Sequence, residues 1–307
     1  MKVAVLTGGV GGAKYVLGLE RCGLVDDLVA IVNTGDDFRH LGLHISPDID
    51  TLLYTLSGKA NAAQGWGRAN ESWTFLDALK SLGGPDWFRL GDGDLALHVL
   101  RSERLARGES LSSVIADFAR QWGISTTILP MSDDPVATHL DTDVGTLEFQ
   151  RYFVERQCAP AVRSIRFDGA ATARPAPGVV EAIGTADAVF LAPSNPYLSI
   201  DPLLAITEIA RALAETNAPV IAISPIVGGT AVKGPTAKLM AELGVAPDND
   251  TIAAHYAPLL DGMVHDESDE PPAYLPALAT ATLMHDMEDR IRVAQAAMAL
   301  AGLLRMS

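Results

Sequence analysis

Met1-Lys-Val-Ala-Val-Leu-Thr-Gly-Gly-Val-Gly-Gly-Ala-Lys14 decides the fold reading. A short apolar run is followed by Gly8, Gly9, Gly11 and Gly12, and a helix is predicted to begin near Ala13. Glycines without a Cβ let backbone approach an anion, and a helix N-terminus aims free N–H groups and a positive dipole at the same place. Strand, phosphate cradle and helix together make the opening unit of a parallel α/β sheet. The same glycines would also serve a tight strand-to-helix junction, so two uses stand open. The spacing is not that of a P-loop, which needs four residues between its first glycine and Gly-Lys-Ser/Thr. Nor is it a dinucleotide fingerprint, because Lys14 falls where the third glycine belongs.

Further apolar runs at 28–33, 188–192, 220–224 and 261–265 alternate with amphipathic segments, the pattern of a parallel sheet covered on both faces. Each run ends at polar residues, and ligands of open α/β sheets bind beyond the carboxyl ends of the strands. Residues 51–123 change to helical spacing, in Ser72 to Leu82, Asp94 to Leu105 and Leu111 to Trp122, and are read as a helical insertion. From 124 to 168 the alternation of Val136 to Asp141 and Thr146 to Phe153 around Asp143-Val-Gly145 predicts a small antiparallel β appendage. No linker or internal repeat divides residues 1–307, so one compact α/β unit is expected.

With 48% hydrophobic residues the chain has ample material for a core, yet its apolar runs are too short to span a bilayer. A net charge of −15 opposes binding to nucleic acid. Cys22 and Cys158 lack metal-ligand spacing and fit a reducing cytoplasm. The seven histidines are scattered and read as structural, and no nucleophile elbow occurs.

Acids carry the chemical signal. Asp36-Asp37 follows the second strand, and Ser46-Pro-Asp48-Ile-Asp50 opens a helix shortly afterwards. Carboxylates suit Mg²⁺, which binds a few of them together with water and phosphate oxygens. Asp37 and Asp50 are the candidate metal ligands and hydroxyl-orienting catalytic residues. Turn formation is the other role open to Asp36 and Asp37, and dipole compensation the other role open to Asp48. Asp92 and Asp94 suit a helix cap as well as a ligand. Arg89 suits either a surface ion pair or stacking on a substrate. Asn33, Ser194 and Asn195 stand at strand ends where short polar side chains position a ligand, and Lys233 and Lys238 follow a flexible Gly228-Gly229 loop.

In order along the chain, Gly8-Gly-Val-Gly-Gly-Ala-Lys14, Asn33-Thr-Gly-Asp-Asp37, Ser46-Pro-Asp-Ile-Asp-Thr51, Leu90-Gly-Asp92, Met131-Ser-Asp-Asp-Pro135, Ala192-Pro-Ser-Asn-Pro196 and Ser224-Pro-Ile-Val-Gly228 resemble the 2-phospho-L-lactate transferase family. The resemblance implies a Rossmann-like core and an Mg²⁺-dependent homodimer of coenzyme F-420 biosynthesis. It implies transfer of a phospho-acid from a guanosine diphosphate-linked donor to 7,8-didemethyl-8-hydroxy-5-deazariboflavin, with GMP released. It further implies that Asp50 and Arg89 contact the deazaflavin, while Gly8, Gly9, Gly11, Gly12, Lys14, Ser194 and Asn195 face the donor diphosphate. Gly93 is a departure, because many family members carry a cation there, and Lys233 is one residue placed to replace it. Phospholactate, phosphoenolpyruvate and 3-phosphoglycerate remain open as the donated acid. Asp50→Asn is expected to fold normally and lose transfer. A guanine-nucleotide-binding regulatory protein is the competing reading, distinguished by failure to bind deazaflavin.

Overall fold

A computed structural model describes residues 1–231 and 234–306. The chain runs β1 (Lys2–Thr7), α1 (Gly9–Arg21), β2 (Asp27–Val32), a β3 (Phe38–His40) and β4 (Leu43–Ile45) hairpin, then α2 (Pro47–Leu56), α3 (Thr74–Ser81), α4 (Asp92–Ala106) and α5 (Leu111–Gln121). Next come β5 (Thr127–Pro130), β6 (Ala137–Thr142), β7 (Gly145–Glu148), β8 (Val162–Asp168), α6 (Val179–Gly184) and β9 (Ala188–Leu191). A helical turn at Pro196–Ile200 leads into α7 (Asp201–Leu204), α8 (Thr207–Glu215), β10 (Val220–Ile223) and a hairpin of β11 (Ile226–Val227) with β12 (Thr230–Ala231). The chain ends with α9 (Thr236–Glu242), α10 (Asn249–Tyr256), β13 (Gly262–Asp266), β14 (Ala277–Thr280) and α11 (Met287–Leu304).

Seven strands form one sheet in the order β14-β13-β10-β9-β1-β2-β5, and every pairing in it is parallel. Side chains alternate between its faces. Val3, Val5, Ala188, Phe190, Ile221 and Ile223 enter one core with α1, α2, α5 and α11. Ala4, Leu6, Val189, Leu191, Val220 and Ala222 enter the other with α6, α8, α9 and α10. Burial on both faces explains why these strands read as continuous apolar runs. From β1 the chain winds outward through β2 and β5, and later returns to β9 on the other side of β1. The resulting topological switch point opens a crevice at the carboxyl ends of β1 and β9.

Besides the β3–β4 and β11–β12 hairpins, which the sequence did not announce, three elements differ from the sequence reading. α1 begins at Gly9 rather than near Ala13, because Gly8 stays extended and Gly9 turns the chain with φ +65°. Thr127–Pro130, inside the stretch read as an antiparallel appendage, pairs with β2 in the main sheet; the separate antiparallel sheet is β7-β6-β8. β14 was not expected, since Ala-Leu-Ala-Thr at a half-exposed sheet edge lacks the β-branched signal of a buried strand. Among the described residues, no helix is long and apolar enough to cross a membrane.

α1 and α11 touch where Gly18 faces the backbone of Arg290, and a Cβ on Gly18 would strike that carbonyl. Gly18→Ala should therefore lower stability by about 1–3 kcal/mol through overpacking. Gly302, within α11, has open space around its Cβ position, and Gly302→Ala should stabilise by about 0.5–1 kcal/mol. Urea unfolding of the two variants checks the contrast, and equal effects would remove the packing argument.

Candidate functional site

The glycine turn sits at the switch point. A Cβ on Gly11 would lie 2.7 Å from the Pro193 carbonyl oxygen, and one on Gly12 would strike Thr7 and Ser194. A Cβ on Gly8 would meet Asp48 Oδ2 at 2.5 Å and Ser199 Cβ at 2.9 Å. Close packing thus accounts for Gly8, Gly11 and Gly12, and backbone conformation for Gly9. This arrangement also leaves the Val10 and Gly11 N–H groups in the first turn of α1 at the crevice end of the sheet, without intrahelical acceptors. Ser194 Oγ donates to Gly8 O at 2.7 Å and locks the β9 tip to the turn. Asn195 is a cap: its Oδ1 accepts from Tyr197 and Leu198 N–H, and its Nδ2 donates to Thr236 Oγ1. Lys14 Nζ donates to Met284 O at 2.7 Å.

Asn33 is fully buried at the tip of β2, so its side chain positions protein groups rather than touching a ligand. Its Nδ2 donates to Asp48 Oδ2 at 3.0 Å and to Leu198 O, while its Oδ1 accepts from Gly35 N–H. Asp48 also accepts from the Gly9 N–H. Although Asp48 lies in the first turn of α2, it thus closes against the glycine turn as well as meeting its own helix dipole. Burial pushes its carboxyl up to about 6, against the hydrogen bonds from Asn33 and Gly9. Asp36 is raised well above the ordinary range by burial and then by the charge of Asp48. Burial also raises Asp37, opposed by His44 Nε2 at 3.0 Å and the Ser46 hydroxyl at 2.7 Å.

Four oxygens at these strand tips are buried without a hydrogen-bond partner: Thr7 Oγ1, Thr34 Oγ1, Asp36 Oδ1 and Asp37 Oδ1. Buried polar atoms are normally satisfied, so such a group calls for a ligand, ion or water. Among the described residues no three or more His, Cys, Asp or Glu side chains are grouped as a metal site. Two carboxylates completed by hydroxyl and phosphate oxygens nevertheless match what Mg²⁺ takes. Asp36 and Asp37 therefore fit the ion as the residues stand.

Asp50 faces the other way. Its two oxygens receive Nη1 and Nη2 of Arg101, a wholly buried residue of α4, and the Nη1 bond is 3.1 Å. Asp50 is therefore committed to α4, which replaces its reading as a metal ligand. Arg101 Nη1 lies 3.5 Å from His98 Nδ1; that nitrogen accepts, and Nε2–H donates to Asp94 Oδ1 at 3.1 Å. Tyr54 of α2 donates to the same Asp94 oxygen. The sequence reading missed Arg101 and counted His98 only among the scattered structural histidines. Their signal was a charged residue on the face of α4 that carries Leu97, where an apolar side chain belongs.

Beyond Asp94 lies a pocket of about 200 Å³, with Trp66, Trp73, Arg68, Glu71 and Arg89 in its wall. Arg89 stacks over Trp73 with its guanidinium 4.3 Å from the ring centre. Arg68 occupies the space above Gly93 that a side chain there would fill, and pairs with Glu71 at 2.9 Å. Asp92 caps the preceding helix, accepting from Thr74 and Phe75 N–H, while Glu71 accepts from Gly93 N–H at the start of α4. Lys238 pairs with Glu242 and Pro160 O. Lys233 lies outside the described residues.

The family model described as 2-phospho-L-lactate transferase CofD matches residues 3–301. A phosphoenolpyruvate transferase of Kitasatospora aureofaciens is 42% identical over 318 residues, 99% of each chain. One of Streptomyces coelicolor is 38% identical over 99% of each chain, and one of Mycolicibacterium smegmatis 38% identical over 98% of this chain and 99% of that one. Two crystal structures of a UPF0052 family protein from Bacillus halodurans share the fold. They have TM-scores of 0.63 and 0.64 at 17% identity, and cover 96% and 97% of this chain and 98% and 99% of theirs.

Two outcomes follow from the buried charges. Asp48 keeps its proton in the folded chain at pH values where the unfolded chain has released it. Its contribution to stability is full below the ordinary carboxyl value of 3.8 and is lost as pH rises through about 6. In chelator, Asp48→Asn should therefore raise the melting temperature more at about pH 7.5 than at about pH 5; equal shifts would refute the assignment. Asp50→Asn strands Arg101 and should cost about 3–5 kcal/mol, which revises the expectation that this variant folds normally. Asp50→Leu combined with Arg101→Met should recover most of that loss in urea unfolding.

Proposed function

The chain belongs to the 2-phospho-L-lactate transferase CofD family, and on that premise we propose that it is a phospho-acid transferase of coenzyme F-420 biosynthesis. The donor is a guanosine diphosphate-linked phospho-acid, and the acceptor is the terminal ribityl hydroxyl of 7,8-didemethyl-8-hydroxy-5-deazariboflavin. The printed name of the relatives, phosphoenolpyruvate transferase, supports phosphoenolpyruvate as the donated acid. The observation that carries the reading is the set of four partnerless buried oxygens beside the glycine turn at the switch point. A homodimer in the cytoplasm completes the proposal, and scattering in solution tests the assembly.

The acceptor oxygen attacks the phosphorus that bears the acid, the bond from that phosphorus to the GMP oxygen breaks, and the hydroxyl proton leaves to solvent or to the departing phosphate. The Val10 and Gly11 amides in the first turn of α1 hold the donor diphosphate at a positive helix end, where they need no reorganisation as charge develops. Ser194 keeps those amides in place through Gly8. Mg²⁺ held by Asp36 and Asp37 would neutralise diphosphate charge. His44 and Ser46 fix the Asp37 carboxylate from one side and leave Oδ1 for the ligand. Asp50 serves as a positioning residue, because its bond to Arg101 sets α4 and the Arg89 pocket against α2. Arg89 and Trp73 offer a flat cationic surface for a planar acceptor.

With the three guanosine diphosphate-linked acids in competition, mass spectrometry should find the phosphoenolpyruvyl product in excess. A phospholactyl or phosphoglyceryl product in excess would reassign the donor. Asp37→Asn should fold and lose about 100-fold in turnover, the scale of one preorganised electrostatic contact; an unchanged rate removes Asp37 from the site. Turnover should also stop on thorough chelation. A guanine-nucleotide sensor would bind nucleotide but leave the fluorescence of added deazaflavin unaltered.

A further inference from the structure

The Arg89 pocket contains two carboxylates, and they are differently committed. Glu71 spends both oxygens inside the protein, Oε1 on Arg68 at 2.9 Å and Oε2 on the Gly93 N–H at 2.7 Å. Asp94 spends only Oδ1, which receives the Tyr54 hydroxyl and His98 Nε2. Its Oδ2 has no hydrogen-bond partner among the described residues, and the side chain is 18% exposed in the pocket wall. The anchoring groups are rigid. His98 is buried against Arg101, and Tyr54 projects from α2, so the carboxylate is held from two helices at once. The surrounding wall is mainly polar and carries two aromatic side chains, Trp66 and Trp73, with the Arg89 guanidinium stacked on Trp73.

We propose that Asp94 recognises the ring edge of the acceptor, its Oδ2 accepting a hydrogen bond from an N–H or O–H group of the planar heterocycle. This rests on the acceptor assignment above and adds the residue that reads the ring. An ionised carboxylate is an acceptor only, and so it selects a ring edge that donates. Burial works to raise the Asp94 carboxyl, but the bonds from His98 and Tyr54 outweigh it and hold the group below its usual range. A deazaflavin offers two such donors, the imide N–H of its pyrimidine ring and the hydroxyl of its benzenoid ring. Both lie on the ring system, away from the ribityl hydroxyl that reacts. Recognition there adds equally to ground state and transition state, so its loss falls on KM rather than kcat.

Fluorescence titration of the whole protein with the deazaflavin tests this. Asp94→Asn should weaken binding about 10–100-fold, the range for a hydrogen bond to a charged group, while kcat at saturating acceptor stays within about threefold. Deazaflavins methylated at the imide nitrogen or at the ring hydroxyl identify the donor. The analogue lacking it should bind the wild-type protein weakly and lose nothing further in Asp94→Asn. A folded Asp94→Asn that binds with wild-type affinity overturns the proposal, as does a fall in kcat with KM unchanged. Should the variant not fold, the wild-type protein still decides: equal affinity for the parent and both methylated compounds overturns the role. Failure of the wild-type protein to bind the parent deazaflavin is a separate result, and overturns the acceptor assignment together with this role.

Discussion

The buried ion pair between Asp50 and Arg101 is the constraint on which the arrangement of the site depends. Arg101 has no exposure to solvent, and a guanidinium in that position is tolerable only with a carboxylate on its fork. The pair joins the first turn of α2 to the middle of α4. Everything on the acceptor side follows from α4: His98 stands one turn before Arg101, Asp94 one turn before His98, and Gly93 admits Arg68 beside it. Everything on the donor side follows from α2, because Asp48, two residues before Asp50, closes against Gly8 and Gly9. One short helix thus presents carboxylates in two directions, because positions two residues apart lie about 200° apart around an α-helix, and the ion pair docks one of them on α4.

The two sides have opposite electrostatic character. Around Arg101 the carboxylates have partners, with Asp50 on its fork and His98 leading to Asp94. Around β1 and β2 the balance is different: Asp36, Asp37 and Asp48 lie buried within reach of one another's charge, and each is pushed toward its protonated form. A group of buried acids held this way carries a standing cost, which a cation would relieve. That imbalance distinguishes the strand-tip cluster from a structural salt-bridge network, and gives the net charge of −15 a local meaning.

Much of the fold was legible in the residues. Runs of Val, Ile, Leu and Ala buried on both faces gave β1, β2, β9, β10 and β13 their period and their length, and three predicted helices end within two residues of α3, α4 and α5. β5 was misplaced and β14 missed because both are short edge strands, with only part of the apolar signal that a central strand carries. In the site, Arg89 stacks on the protein's own Trp73, a partner that neither of its two readings named, and Asp37 stands at the acid cluster. Asp50, Asn33 and Asn195 took internal roles that their residue types permit equally well. A carboxylate or carboxamide beside a strand tip has the same local sequence whether it faces a ligand, an arginine or an N–H group.

By itself the sequence determined the parallel α/β class, the glycine-rich junction after β1 and the family, because local patterning and ordered motifs depend only on which residues stand near one another along the chain. Tertiary structure alone decided which acids share a space. Asp36 and Asp48 are brought together by the folding of α2 over the strand tips, and Asp50 and Asp94 are joined through His98 and Arg101 across two helices. The physical reason is that the chemistry of a carboxylate is set by its burial and its partners, and here the partners include residues on other elements, up to 51 residues away.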